Sequence, residues 1–274
     1  MVRSALLGGC AALIAAAVAG CGGSSAANPP TTTVRQLRQF RIVFPEGFTR
    51  AQMIARAQVV AKIAKQESHR KVKLSGRGYA AATAKPRRIR GFGGKRLPLE
   101  GFLFPDTYDF DRDSTSKQLV QEQLQEFLSK WSTVNLSYAK SKNLTPYDVL
   151  TIASMVEGEA QVPSERPLVA AVIYNRLHAH MPLGIDATLR YGLHVPPTQS
   201  LTESELHNPT PYNTRVHDGL PPTPINNPGL AAIEAAADPA KVDYLYFVRK
   251  PDHRHHYFTS NYQDFLQHEA QYGY

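Results

Sequence analysis

The feature that most constrains the fold of this 274-residue chain is a series of apolar stripes at helical spacing, two of which follow helix-capping threonines. Thr49 has Gln52 at the capping-box position, and Thr145 is followed by a proline at the first helical position. We therefore expect helices to begin directly after both threonines. The same spacing predicts two further helices over residues 116–131 and about 164–177.

Three shorter segments are predicted to be strands. Residues 40–44 alternate apolar and polar residues, as a half-buried strand does, residues 243–248 alternate aromatic and aliphatic residues, and residues 255–258 would pair with them. A Pro-Asp turn between the last two predicts a hairpin. Residues 182–224 are rich in turn-forming residues, which favours loops, and Asn227 is expected to cap a short helix that begins at Pro228. Together the segments predict an α+β fold, rich in helices, with a short antiparallel sheet.

Composition and charge exclude several classes of protein. The chain is 42% hydrophobic and 20% charged, which excludes a wholly disordered or polytopic membrane protein, and two cysteines exclude a disulfide-rich scaffold. Residues 70–96 contain ten basic residues and no acidic one, whereas the remainder has 21 basic and 23 acidic residues. Such a cationic segment would attract a polyanion. The alternative is a solvated loop whose charge only aids solubility.

The amino terminus has the pattern of an export signal. Arg3 precedes 16 uncharged residues, 5–20, which are too few to span a bilayer but fit the apolar region of a signal peptide. The segment ends in Val-Ala-Gly-Cys and resembles a bacterial lipobox, which implies lipidation of Cys21. An uncleaved signal anchor is the alternative. We interpret residues 1–21 as the signal and residues 22–37 as a flexible tether.

Two glutamates at the end of the helix that follows Thr145 are the best candidates for catalytic residues. At about 100° per residue, Glu157 and Glu159 lie on opposite flanks of the apolar stripe, about 90° and 70° from its centre. Partial burial at such positions raises the pKa of a carboxyl group, and a carboxylic acid protonated near neutral pH can donate to a glycosidic oxygen. The spacing does not choose between the two glutamates, and it also fits two surface residues at a helix end.

Seven motifs in order make the chain similar to a known family. They are LEGFLFPDTY (99–108), ASMVEGEA (153–160), VIYNRL (172–177), MPLGIDATLRYGL (181–193), PYNT (211–214), GLPPTPINNPGLAAIEAA (219–236) and DYLYFV (243–248). Together they resemble the endolytic murein transglycosylases of the MltG/YceG family. The strand–turn–helix segment after residue 38 resembles the LysM-like module of certain cell-wall enzymes. The resemblance implies a LysM-like module with a cationic insert over residues 38–96 and a catalytic domain over residues 97–274.

The resemblance implies a lytic cut between N-acetylmuramic acid and N-acetylglucosamine in peptidoglycan, which leaves a 1,6-anhydromuramic acid end. One glutamate of the motif at residues 153–160 acts as acid and then as base in this family. We place that role on Glu157, with Glu159 as second choice, and expect no cofactor. The residues expected to bind the glycan are Glu100, Asn175, Arg176, Asp186, Thr188, Tyr191, Tyr212, Asn213, Thr214 and Asn227.

Partners and location follow from the same resemblance. We expect the protein to be extracytoplasmic, anchored to the outer face of the bacterial cytoplasmic membrane, and bound to peptidoglycan glycan strands. By family analogy it would terminate nascent strands beside peptidoglycan synthases. A non-catalytic wall-binding module is the alternative function, and the export signal argues against a nucleic-acid partner. His253, His255 and His256 lack a completing carboxylate motif, so we expect no metal site.

Overall fold

The computed structural model describes residues 39–273, so the expected signal, Cys21 and tether lie outside the described residues. The described chain begins with strand β1 (Phe40–Val43), a turn, and helix α1 (Arg50–Ser68). The Thr49 hydroxyl accepts the Gln52 N–H at 3.2 Å, and the Gln52 side chain accepts the Thr49 N–H at 2.7 Å. The predicted capping box is therefore confirmed.

Helices make up most of the remaining structure. They are α2 (Gly76–Thr83), α3 (Ser116–Trp131), α4 (Ser137–Ser141), α5 (Pro146–Glu159), α6 (Arg166–His178), α7 (Asp186–Leu193), α8 (Glu203–Leu206), α9 (Leu230–Ala237) and α10 (Tyr262–Tyr272). A short 3-10 helix, Pro163–Glu165, leads directly into α6. The helices predicted from apolar spacing correspond to α1, α3, α5 and α6, and Thr145 caps α5 as expected.

The strands are short and pair only in antiparallel ladders among residues 39–273. Besides β1 they are β2 (Arg87–Arg88), β3 (Arg96–Leu97), β4 (Thr107–Phe110), β5 (Tyr246–Arg249) and β6 (His256–Thr259). They form three two-stranded sheets, which pair β1 with β4, β2 with β3, and β5 with β6. The helix-rich α+β class and the C-terminal hairpin are thus confirmed.

Two local predictions are wrong. The segment 182–224 contains α7, because Thr188 and Leu189 are fully buried and their packing favours a helix that composition does not indicate. Asn227 does not cap α9: the N-cap is Gly229, and the Asn227 side chain bonds to other segments. In addition, β5 begins three residues later than expected, because the carbonyls of Val242 and Tyr244 accept hydrogen bonds from Asn175 on α6.

An aromatic cluster lies at the centre of the core. Phe102 stands 4.9 Å from Phe92 and 5.1 Å from Phe127 between ring centroids, and Phe127 is 5.5 Å from Trp131. Such pairs add to the stabilisation that burial of their apolar area provides. The cluster joins residues on both sides of position 97, within one compact unit. The domain division at residue 97 stays a prediction. Within residues 39–273, the structure has no helix with the length and apolar character of a membrane span.

Replacing Phe102 by alanine should destabilise the fold strongly, because the ring is fully buried among other aromatic rings. Large-to-small changes of this kind cost about 3–5 kcal/mol in the free energy of unfolding. Urea unfolding followed by circular dichroism measures the loss. Val59→Ala on α1, where the side chain is 56% exposed, is the matched control and should leave the midpoint nearly unchanged. Equal midpoints for the two variants would contradict this description of the core.

Candidate active site

Both candidate glutamates lie in the last turn of α5. The residues before them, from Val149 to Val156, are buried against the core, and the two glutamates are half-buried on its flanks. Neither carboxyl group points into bulk solvent. Helical spacing placed them on opposite flanks, and their contacts are with different parts of the protein.

Glu157 faces the N-terminus of α9 and the turn after β1. Its Oε2 accepts the backbone N–H of Gly229 at 3.1 Å, and its Oε1 lies 4.0 Å from Arg166 Nη2. Gly47 packs against the aliphatic part of the side chain, since a β-carbon there would lie 3.5 Å from Cγ of Glu157. Only 8% of the Glu157 side chain is exposed. The carboxyl group is therefore enclosed and oriented by neighbours that are distant in sequence.

The surroundings of Glu157 raise its pKa above the ordinary value of a glutamate. Burial is the largest cause, because it disfavours the charged form. The Gly229 N–H opposes the increase, the negative charge of Glu46 adds to it, and the positive charge of Arg166 opposes it. The expected increase from partial burial is thus present, and the carboxyl group keeps its proton to higher pH than an exposed glutamate does.

Glu159 faces α7 on the other side of α5. Its Oε1 accepts the Ala187 N–H at 3.4 Å. Burial, and then the negative charge of Asp186, raise the pKa of Glu159 to about 7. Asp186 forms an ion pair with Arg215, so this flank has its own charge network. Both glutamates consequently keep a proton to higher pH than an exposed glutamate does, and they differ in what surrounds them.

Glu100 is the centre of a buried hydrogen-bond network behind the turn that Glu157 contacts. Its Oε1 accepts the Arg50 N–H and the Asn227 side-chain amide, both at 2.8 Å, and its Oε2 accepts the Tyr191 hydroxyl at 3.0 Å. Burial raises the pKa of Glu100 to about 7 against these hydrogen bonds. Glu100 is 5% exposed and Asn227 is fully buried, so in this structure both hold chain segments together and present no polar atom to a glycan.

Three further residues expected to bind sugar are buried around α7. Thr214 accepts the Ile185 N–H at 3.0 Å and lies 3.1 Å from the Thr188 hydroxyl. The Asn213 side-chain amide donates to the carbonyls of Leu206 and Asn208. All three side chains are at most 2% exposed. They fix the loop after α8 against α7, and the structure gives them no open surface.

Asn175 and Arg176 bind α6 to the segment just before β5. Besides the Asn175 bonds described above, Arg176 Nε donates to the Leu245 carbonyl at 2.6 Å and Nη1 donates to the Leu183 carbonyl at 2.7 Å. A surface cavity of about 520 Å³ lies beside Asn175 and is lined by Tyr138, Tyr174 and Tyr244. Glu157 and Glu159 are not among its lining residues.

Asp186, Tyr191 and Tyr212 are half-buried, as Asn175 and Arg176 are, whereas the other five expected sugar-binding residues are buried. The rings of Tyr191 and Tyr212 meet edge to face at 5.0 Å, and the Tyr212 hydroxyl lies 2.9 Å from that of Thr223. Partly exposed aromatic rings of this kind can pack against a pyranose ring. Of the ten expected residues, Tyr191 and Tyr212 therefore offer partly exposed aromatic rings to a glycan.

Sequence reasoning missed three residues that contact Glu157 or its neighbours. Arg166 was placed only inside a predicted helix, and neither Glu46 nor Gly229 was singled out as a site residue. None of them belongs to a pattern that predicts contact with Glu157: Glu46 and Gly229 are far from it in sequence, and Arg166 lies on the next helix, beyond a 3-10 turn. A Pro-Glu-Gly turn directly after a strand was the one signal at hand.

The histidines of the C-terminal hairpin are used in other ways. The His256 ring bonds to Glu165 at 2.7 Å and is buried, and the His255 ring bonds to Asp252 at 2.8 Å. The two rings therefore have separate carboxylate partners. Within residues 39–273, no group of three or more histidine, cysteine, aspartate or glutamate side chains is arranged to hold a metal ion.

Several known proteins are similar to this chain. Proteins named endolytic murein transglycosylase are 38% identical over 175 residues in Streptococcus pneumoniae R6 and 39% identical over 156 residues in Bacillus subtilis 168. These alignments cover 62% and 56% of this chain, but only 32% and 42% of the relatives. The chain thus matches less than half the length of either curated relative.

A solved structure agrees with the fold. The crystal structure of a YceG-like protein from Listeria monocytogenes superimposes with a TM-score of 0.66 at 30% identity, covering 83% of this chain and 75% of that one. The model of the YceG-like family matches residues 25–271, which is nearly the whole chain. The chain therefore belongs to the YceG-like family.

Proposed function

We propose that this protein is a peptidoglycan lytic transglycosylase in which Glu157 is the general acid and base. Membership of the YceG-like family and the names of the curated relatives support the reaction class. The observation that carries the proposal is the enclosed Glu157 carboxyl group, which has a raised pKa and is held by the Gly229 N–H. Its substrate would be the glycan strands of peptidoglycan, outside the cytoplasm.

In the first step the protonated Glu157 carboxyl group donates its proton to the oxygen that links N-acetylmuramic acid to N-acetylglucosamine. The bond from the anomeric carbon to that oxygen breaks, and the N-acetylglucosamine part leaves as an alcohol. A carboxyl group with an ordinary pKa would be almost fully ionised near neutral pH. Because burial raises the pKa of Glu157, a larger fraction is protonated and able to donate.

In the second step the 6-hydroxyl of the same muramic acid attacks the anomeric carbon, and the Glu157 carboxylate takes the hydroxyl proton. A 1,6-anhydro ring forms, no water is consumed, and the acid is regenerated. Ordinary glycosidases need two carboxylates because one must act as nucleophile or activate water. Here the attacking group belongs to the substrate, so one carboxyl group and correct positioning suffice.

The surroundings of Glu157 favour it over Glu159 for this cycle. Each oxygen of the Glu157 carboxyl group has its own neighbour, a backbone N–H for Oε2 and a guanidinium for Oε1. Both neighbours stabilise the carboxylate that proton donation creates. An acidic side chain raises the pKa of each glutamate, Glu46 that of Glu157 and Asp186 that of Glu159. The backbone donor is closer to Glu157, at 3.1 Å from the Gly229 N–H against 3.4 Å from the Ala187 N–H to Glu159, and this closer contact favours Glu157.

The finer parts of the proposed function rest on sequence. The N-terminal LysM-like module would help to bind the wall, and Asp186, Tyr191 and Tyr212 would contact the sugar. A lipid on Cys21 would anchor the protein to the outer face of the cytoplasmic membrane. We also include termination of nascent strands in association with peptidoglycan synthases. The other expected sugar-binding residues would act indirectly, by fixing the loops on which the exposed ones stand.

Glu157→Gln should abolish the release of anhydromuropeptides, because an amide cannot donate the proton that the leaving oxygen needs. Purified protein is incubated with peptidoglycan glycan strands and the products are identified by mass spectrometry. We expect the rate to fall by at least about 10²-fold, as loss of general acid catalysis does. Glu159→Gln is the matched control on the other flank of α5 and should retain most of the activity, with an unchanged circular dichroism spectrum for both variants.

Three outcomes of that assay would contradict the proposal. Hydrated reducing ends as the only product would indicate a hydrolase that uses water. Loss of activity in Glu159→Gln and retention in Glu157→Gln would transfer the role to the second glutamate. Binding to peptidoglycan without any cutting, unaffected by Glu157→Gln, would favour the non-catalytic wall-binding function.

Cys21→Ala should remove a covalent lipid, because the lipobox resemblance makes this cysteine the acylated residue. Cells that express the chain are fed an alkyne-bearing fatty acid, and incorporation into the protein is detected after immunoprecipitation. Cys10→Ala is the matched control, since Cys10 lies inside the segment that cleavage would remove. Equal labelling of both variants would exclude lipidation at Cys21, and absence of label from the wild-type chain would favour an uncleaved signal anchor.

A further inference from the structure

The Arg166 guanidinium lies between two carboxyl groups, that of Glu46 and that of the proposed acid Glu157. Arg166 Nη2 lies 3.8 Å from Glu46 Oε2 and 4.0 Å from Glu157 Oε1. Both distances exceed that of a hydrogen bond, so the interactions are electrostatic. Arg166 Nε is buried and has no hydrogen-bond partner within the described residues. Arg166 is thus held between the two carboxyl groups without being bonded to either.

Gly229 contacts the same two carboxyl groups. Its N–H donates to Glu157 Oε2, and the Glu46 carboxyl group lies directly against its α-carbon. A β-carbon at position 229 would stand 1.8 Å from Glu46 Oε1, which is less than any real contact. Only glycine therefore leaves room for the Glu46 carboxyl group in this place. Glu46 reaches it from the turn after β1, far from α5 in sequence.

The three charged groups differ in their contact with solvent. The side chains of Glu157 and Arg166 are 8% and 14% exposed, whereas that of Glu46 is 50% exposed. Solvent screens the charge of Arg166 much less in this enclosed place than at an open surface, whereas the half-exposed Glu46 is screened more strongly. Both charges act on whether Glu157 holds a proton.

We propose that Glu46 and Arg166 are positioning residues that act on Glu157 in opposite directions: Glu46 favours its protonated form and Arg166 favours its carboxylate. This inference rests on the proposed role of Glu157 as acid and base. The two effects suit the two steps of the reaction. The first step needs a proton on Glu157, and the second needs a stable carboxylate that can take a proton back.

The other groups around Glu157 do not change the opposite effects of Glu46 and Arg166. The charged side chains that act on it are Glu46 and Arg166, α9 contributes the Gly229 N–H, and Glu159 faces α7 on the far side of α5. Among the causes that change the pKa of Glu157, the charge of Glu46 raises it and that of Arg166 lowers it. Removing the charge of Glu46 should therefore lower the pKa of Glu157, and removing that of Arg166 should raise it.

The test is a titration that does not depend on activity. The full chain is labelled with glutamate carrying ¹³C at the side-chain carboxyl carbon, and the Glu157 signal is assigned by its absence from Glu157→Gln. Its pKa is then measured by NMR in the wild type, Glu46→Gln and Arg166→Gln. Glu234→Gln on α9 and Arg77→Gln on α2 are matched controls, since both remove an exposed charge elsewhere.

We expect Glu46→Gln to lower the pKa of Glu157 by about 0.5 and Arg166→Gln to raise it by a similar amount, because each substitution removes one nearby charge. The controls should change it by less than about 0.2. At a pH above the pKa, a decrease of about 0.5 lowers the protonated fraction about threefold. Cleavage by Glu46→Gln should therefore fall about threefold there and recover at lower pH.

A purely structural role for Glu46 and Arg166 would lower activity equally at every pH and leave the pKa of Glu157 unchanged. That result, or changes of the same sign in both variants, would overturn the inference. Glu46→Gln replaces a half-exposed side chain and leaves the buried arginine in place. The pKa of Glu157 in this variant therefore tests the inference even if Arg166→Gln does not fold. Because the titration needs no substrate, a failure of the proposed reaction is recognised separately, by absence of anhydro products.

Discussion

The packing of α5 against α9 and the segment before it is the interaction on which the proposed site depends. The Ser154 hydroxyl on α5 accepts the Ile225 N–H at 3.0 Å, and the Ser154 carbonyl accepts the Asn226 side-chain amide at 2.8 Å. One turn further along α5, Glu157 accepts the Gly229 N–H. These bonds align the two segments residue by residue. The position of the Glu157 carboxyl group is therefore fixed by backbone contacts and does not depend on a flexible loop.

A second set of buried polar contacts holds the turn after β1 in place. Asn227 donates to the Phe48 carbonyl and to Glu100, and its own carbonyl oxygen accepts the Leu103 N–H. Buried polar groups are costly unless all their hydrogen bonds are made, so such a network favours one arrangement of the segments that it joins. Those segments include the turn that carries Glu46. Glu100 and Asn227, which were expected to touch sugar, thus stabilise the turn beside the proposed acid.

Much of the fold could be predicted because its signals are local. A threonine cap followed by an apolar stripe of period 3.6 is sufficient to predict α1 and α5, and the stripe alone located α3 and α6. The helix α7 was missed because Gly192 and the neighbouring prolines favour loops by composition, and only the burial of Leu189 favours the helix. Asn227 was expected to be a cap because asparagine often is, but a buried carboxyl group and two backbone groups bind its side chain instead.

For the site too, sequence predicted the local features and missed the contacts between segments. Helical geometry predicted two half-buried glutamates with raised pKa values, and family resemblance placed the acid on one of them. Sequence could not indicate that Glu46, Arg166 and Gly229 surround Glu157, because the first and last come from distant segments and the turn that brings Arg166 back to Glu157 carries no sequence pattern. Charge effects of this kind depend on distances and burial, which no spacing in a single sequence supplies.

The most direct test of the central claim is a crystal structure of Glu157→Gln with a bound peptidoglycan glycan fragment long enough to cross the cleavage point. The account predicts that the side-chain nitrogen of residue 157 lies within about 3.2 Å of the oxygen that links N-acetylmuramic acid to N-acetylglucosamine. The muramic acid 6-hydroxyl should lie next to the anomeric carbon. A fragment whose linking oxygen lies against Glu159, or that binds far from both glutamates, would contradict it.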